Sequence, residues 1–228
     1  MPLESTDMYC AEQIFVPPTF PGILKQYTKA AIRTQPYDLL KWSAAYFRAL
    51  ANGERPPVKE RLEYPPVATK SGLSPGFLRV LIKQVGKEGN VDVDKLKNLW
   101  SGLCLDPSAL REMLQLCGCI ESHPVDWLTL VAVATAHLNE NLLQTMNMLC
   151  ELLTEEPEGG CASIPIDTFK HLYLMLAEMD CPDVPGIGAK VPQSITTAAI
   201  DYLTDVSKNH SGYILSRHTS DVLCPPLY

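Results

Sequence analysis

Asn90, Asp92 and Asp94 place three oxygen-bearing side chains at alternate positions, a spacing that invites a calcium reading. A calcium loop needs oxygen ligands at positions 1, 3 and 5, glycine at 6 and glutamate at 12. Begun at Asp92, the register meets Leu96, Lys97 and Leu103 at positions 5, 6 and 12; begun at Asn90, it meets Lys95 and Ser101 at 6 and 12. Neither register can hold calcium, so Asp92 and Asp94 read as helix-start residues. The run Gly186-Ile187-Gly188-Ala189-Lys190 has the glycines of a phosphate loop, but that loop ends in Gly-Lys-Ser/Thr, and here Ala189, Lys190 and Val191 stand there. It reads as a proline-flanked turn. Cys117 and Cys119 with Cys104 and His123 offer zinc-type ligands, yet a Cys-x-Cys pair without a matching second pair lacks the zinc spacing. Ser122, His123 and Asp126 are the residue types of a hydrolase triad, but sequence neighbours do not converge in that geometry and no nucleophile elbow accompanies them. His137 and His171 fall within helical patterns, as core or surface residues. No catalytic residue, metal site or cofactor is assigned.

The chemistry that remains is that of apolar surface, concentrated in residues 14–50. Phe20, Ile23, Leu24, Tyr27, Ala30, Ala31 and Ile32 recur at helical spacing over Phe20 to Thr34 and cover more than one stripe. Pro36 disfavours helical backbone at Gln35 and is expected as the first residue of a second helix, with Asp38 near its positive end. That helix carries Leu39, Trp42, Tyr46, Phe47 and Leu50 and closes at Asn52-Gly53. An αα-hairpin results.

A unit of about 40 residues rarely folds without disulfides, a metal or a partner, and this stretch has neither cysteine nor histidine. Self-association is the remaining route, a two-fold dimer whose four helices share a core of Ile23, Tyr27, Leu39, Trp42, Tyr46, Phe47 and Leu50. Ile14, Val16, Leu24, Thr28 and Ile32, with Phe20, are then left over and predict a shallow groove for an amphipathic helix. Four anchors at roughly 1.5–3 kcal/mol each would give on the order of 6–12 kcal/mol. Association costs about 4–15 kcal/mol, so a preformed groove and polar rim contacts must contribute.

The run I-x-V-P-P, L-x-x-Y-T, R-x-Q-P-x-D-L, A-x-Y-F over Ile14 to Leu50 resembles the dimerisation/docking domain of the type II regulatory subunit of cAMP-dependent protein kinase, which binds A-kinase anchoring proteins. Because a long helical region follows and no cyclic-nucleotide domain does, the chain as a whole resembles the ropporin family of sperm fibrous sheath and ciliary radial spokes. The resemblance implies that Ile14 and Val16 clasp the anchoring helix, that Leu24, Thr28 and Ile32 line its groove, and that Tyr46 and Phe47 lie in the dimer core. Lys29 departs, standing where the kinase subunit is apolar; its stem can lie on the groove with its ammonium in water, favouring anchoring helices with a nearby acidic residue. Implied partners are A-kinase anchoring proteins, including an anchoring-type radial spoke stalk protein, and a second copy or a related docking-domain subunit.

The fold expected is all-α: a flexible arm over 1–13, the hairpin over 14–53 forming a dimeric four-helix bundle, a proline-rich semi-rigid linker over 54–76, a multi-helix domain over 77–208 and an extended tail over 209–228. Within that domain, Asp106-Pro107 opens one helix, Asn139, Asp167 and Ser194 are expected to cap others, and LTLVAVATA within 124–138 marks the buried centre. Apolar pairs before two helices, Val91 with Val93 and Ile164 with Ile166, hint at EF-hand-like pairing. A net charge of −7 without clustered cations argues against nucleic acid. No apolar run reaches a membrane span, and MPLESTDMYC lacks the order of a signal peptide. The chain reads as cytoplasmic, with its 8 cysteines as thiols, placed in the axoneme of cilium or flagellum by the resemblance. Two functions follow: a non-enzymatic adaptor that couples docking to cAMP-linked motility, or an enzyme or small-molecule sensor in the helical domain with the hairpin used for oligomerisation.

Overall fold

The computed structural model describes residues 16–67, 69–86, 89–118, 124–157 and 159–228. Expectations for the 1–13 arm, Ile14, Cys119, Ser122 and His123 lie outside the described residues. Among the described residues there are ten helices and four strands of two or three residues. The hairpin is α1 (Phe20–Thr34) and α2 (Leu39–Ala51). Gln35 ends α1 in the left-handed region at φ 46°, its N–H donating to the Ala31 carbonyl. The second helix begins later than expected. Asp38 is its N-cap and accepts the Lys41 N–H at 2.9 Å; a side-chain acceptor there starts the helix more decisively than Pro36, which lies in the turn.

The rest of the chain repeats one plan. In the first half, α3 (Pro75–Val85), β1 (Asn90–Val91) and α4 (Val93–Gly102) are followed by α5 (Pro107–Leu116), β2 (Val125–Asp126) and α6 (Trp127–Ala136). In the second, α7 (Leu142–Leu153), β3 (Ser163–Pro165) and α8 (Ile166–Glu178) are followed by α9 (Gln193–Lys208), β4 (Tyr213–Leu215) and α10 (Ser216–Thr219). Each half is two helix–strand–helix units tied by a minimal antiparallel pair, β1 with β2 (Val91 opposite Val125) and β3 with β4 (Ile164 opposite Ile214). Val91 and Ile164, one member of each apolar pair noted in the sequence, sit in these strands and are buried with their partners Val125 and Ile214.

Helix α6 joins the halves, packing on α3, α5, α7 and α8. Its residues from Leu130 to Ala136 are all buried, as an unbroken apolar run requires. Asp106 caps α5 and Asp126 caps α6 through side-chain acceptors. Asn141, rather than Asn139, caps α7 by accepting the Gln144 N–H at 2.8 Å, while Asn139 donates to the Thr135 carbonyl. Asp167 lies in the first turn of α8, and α9 starts at Gln193, one residue before Ser194. The Gly186 turn is packed against the core: its carbonyl accepts the Thr145 hydroxyl at 2.9 Å, and a Cβ on Gly186 would lie 2.2 Å from the Ala136 carbonyl oxygen.

Two segments expected as a semi-rigid linker and an extended tail are packed against the helices. Residues 209–228 are not a simple extended tail: they carry β4 and α10, Leu227 is buried, and the Tyr228 carbonyl accepts the Leu143 N–H. Three-residue strands have too few positions to show a period, so this segment reads as irregular until its partner strand, about fifty residues earlier, is known. Residues 54–76 include a cis Tyr64–Pro65 bond and fold over both modules. Lys59 is buried, its ammonium 2.5 Å from Glu63 Oε2 and 3.7 Å from the centre of the Phe77 ring. Glu63 also accepts the Ser74 hydroxyl at 2.7 Å and the Gly76 N–H at 2.6 Å at the N-terminus of α3. No helix among the described residues is long and apolar enough to cross a membrane.

Candidate docking surface

The hairpin closes on an aromatic seam. Tyr27 stacks on Phe47 at 5.1 Å and meets Trp42 at 5.8 Å and the edge of Tyr46 at 5.6 Å. Tyr46 in turn meets Phe47 edge-on at 5.2 Å. Such contacts add about 0.5–1.5 kcal/mol each beyond the area they bury. The Tyr27 hydroxyl is satisfied within the hairpin: it donates to Ser43 at 2.6 Å, and Ser43 donates to the Leu39 carbonyl at 2.5 Å. Burial raises the Tyr46 phenol above its ordinary value, with Arg33 opposing.

The seam divides the residues expected in a shared dimer core. Trp42 is fully buried by its own chain, its indole N–H donating to the Pro57 carbonyl at 2.7 Å. The Lys59 N–H reaches back to Thr34 Oγ1 at 3.2 Å. Because residues 54–59 fold over α2, Trp42 serves the protomer's interior instead of a joint one. Tyr46 is likewise buried and Tyr27 half-buried, whereas Ile23, Leu39, Phe47 and Leu50 remain exposed. Sequence periodicity could not separate these sets, since the covering residues come from an irregular proline-rich segment with no period of its own.

The residues expected to line the groove are open. Val16 is 58% exposed, Leu24 41% and Ile32 62%, and Phe20 is similarly uncovered. Thr28 and Lys29 are exposed, and the Thr28 hydroxyl donates to the Leu24 carbonyl at 2.8 Å, which leaves its methyl as the contact it offers. Leu24, Thr28 and Ile32 recur every four residues and so share one face of α1. None of Leu24, Phe47 or Ile32 is tucked beneath the later helices. Single exposed apolar side chains are ordinary, but several on one small hairpin form the kind of patch that marks a contact surface.

The hairpin sits firmly on the first helix–strand–helix pair. Helix α2 packs on α4, where a Cβ on Gly102 would lie 3.3 Å from Ala45 Cβ. The Cys104 thiol donates to the Asp38 carbonyl at 3.4 Å, which holds the N-cap turn of α2 against the loop after α4. Burial is the main cause that raises the Cys104 thiol. The four sulfur and imidazole groups considered for zinc are thus divided: Cys104 is used against Asp38, Cys117 follows α5, and the other two lie outside the described residues.

Among the described residues the chain is mostly helical, a hairpin with an open apolar face fixed to a multi-helix body. Three domain families match in order along it: the Ropporin N-terminal domain over residues 1–54, the Ropporin middle domain over 76–140 and the Ropporin C-terminal domain over 141–214. The chain belongs to the ropporin family.

Proposed function

We propose that this chain is a non-catalytic adaptor of cilia and flagella, in the radial spoke or the sperm fibrous sheath. It dimerises through its hairpin and binds the amphipathic helix of A-kinase anchoring proteins, contributing to cAMP-linked motility. The reading divides it into a docking domain over 14–53, a connecting segment over 54–76 and a helical body from 77 onward that faces other axonemal components. The observation that carries it is the division of the hairpin into a seam closed within one copy and an apolar face left open. Leu39, Phe47 and Leu50 with Ile23 suit a second copy, itself or a related docking-domain subunit. Val16, Leu24, Thr28 and Ile32 suit an anchoring helix, such as one on a radial spoke stalk protein. Ropporin membership and the resemblance of residues 14–50 to the kinase docking domain support the partner class.

The test is fluorescence anisotropy with a labelled anchoring-helix peptide on the full chain, since the hydrogen bonds from Trp42 to Pro57 and from Lys59 to Thr34 make the hairpin depend on residues beyond 53. Submicromolar binding that falls at least a hundredfold in Ile32→Asp is expected. Absence of binding by a chain verified as folded and dimeric would remove the reading.

A further inference from the structure

Away from the open face of α1, a cavity of about 550 Å³ lies between α4 and α5, beside the start of α2. Its floor is Trp100, Leu105, Leu110 and Leu114. The Trp100 indole N–H donates to the Asp106 carbonyl at 2.8 Å, which fixes the ring as a flat wall. Lys41 from α2, Lys97 from α4 and Arg111 from α5 stand exposed around it, and among the described residues no aspartate or glutamate lines it. Acidic residues outnumber basic ones 26 to 19 in this chain, so a lining with three cations and no carboxylate runs against the composition. Lys97 pairs with Asp94 at 3.3 Å in a solvent-exposed contact that an incoming carboxylate can replace.

We propose that this cavity is a second docking site, one that takes an acidic amphipathic helix from a partner protein. The volume falls in the range of sites that enclose a ligand with a few convergent polar groups, and it admits more than one large apolar side chain. Three cations carried on three separate helices call for several carboxylates, which a helix supplies at positions three and four apart on either side of its apolar stripe. A small monoacid supplies one. The site is distinct from the hairpin groove, and it bridges the docking hairpin and the helical body through Lys41, so an occupant would brace the two modules against each other.

The test uses two labelled helical peptides of about 18 residues, close to five turns. One has leucine and phenylalanine at i, i+3, i+4 and i+7 with glutamate on the flanks; the other has lysine in place of each glutamate. Saturable micromolar binding of the acidic peptide to the full chain is expected, weakening as salt rises, with the lysine peptide at least tenfold weaker. The double variant K97E/R111E, whose side chains are exposed, should retain the wild-type circular dichroism spectrum and lose at least tenfold in affinity, while Ile32→Asp should bind the acidic peptide as wild type does. The proposal is overturned by undiminished binding in K97E/R111E, by loss of binding in Ile32→Asp, or by no saturable binding up to about 100 μM. It is also overturned if K97E/R111E shifts the chain from dimer to monomer without peptide, because a second copy would then be the occupant.

Discussion

Glu63→Gln is the most informative single change to the body of the protein, because one carboxylate joins three elements. In the wild type it receives the buried Lys59 ammonium at 2.5 Å, the Ser74 hydroxyl and the Gly76 N–H. Glutamine keeps an acceptor for Gly76 but removes the charge, leaving the ammonium on the Phe77 ring with no carboxylate to balance it. Breaking a fully buried pair from one side costs about 3–5 kcal/mol. The Glu63 side chain retains 20% of its exposure, so water screens part of this loss and about 2 kcal/mol is expected. At about 2–4 °C per kcal/mol for a chain of this size, the midpoint of thermal unfolding should fall by about 4–8 °C. The pH dependence gives a second check. Burial pushes the Glu63 carboxyl up, but hydrogen bonds from Lys59, Ser74 and Gly76, with the Lys59 charge, outweigh it and hold the group below its ordinary value. A carboxyl lowered by folding contributes stability that is present above its unfolded value and lost as pH falls through its folded one. The gap between wild type and Glu63→Gln, measured by urea unfolding, should therefore be full at neutral pH and shrink below about pH 4.3. Equal stability at pH 7, or a gap unchanged at pH 3, would refute the reasoning.

Other outcomes follow from the same geometry. Gly186→Ala should destabilise by about 1–3 kcal/mol in urea unfolding, because its Cβ would lie 2.2 Å from the Ala136 carbonyl oxygen and 2.6 Å from Thr145 Oγ1 in a packed interior. Trp42→Phe should cost about 1–3 kcal/mol in urea unfolding by leaving the buried Pro57 carbonyl without its donor, with no change in the sedimentation of the folded chain. His218 is held below the ordinary histidine value by burial, then by His210 4.5 Å away and by Arg217. A histidine lowered by folding takes its proton first in the unfolded state, so His218 should reduce stability progressively as pH falls below about 6.5. Nuclear magnetic resonance titration should show its ring protonating below that value, and a ring titrating at or above it would refute this.

How much could be read from residue order alone varied with the range of the interactions. Helix α1 was legible because its stripe, its break at Gln35-Pro36 and its ends are all local. The buried α6 was legible because nine consecutive apolar or small residues, LTLVAVATA, leave no polar face. The strand pairs were hinted at by the Val91/Val93 and Ile164/Ile166 recurrence, but two- and three-residue strands carry no measurable period, and without a set of calcium ligands no local signature marks the arrangement. Residues 54–76 looked like a linker because prolines and charges dominate them. Their fixing depends on a lysine whose partners, Glu63 and the Phe77 ring, declare themselves when the chain is folded. In the hairpin, spacing picked out the apolar residues but could not tell Trp42, covered by Pro57, from Phe47, left open.

Sedimentation velocity of the full chain bears most directly on the claim that the open hairpin face is a protein-binding surface. At micromolar concentration the wild type should sediment as a species of twice the chain mass. Phe47→Asp puts a charge where the second copy would pack and should shift it to single chains, raising the dissociation constant at least a hundredfold, about 2.7 kcal/mol. A wild-type chain that remains single at all accessible concentrations, with no related subunit to pair with, would contradict the claim.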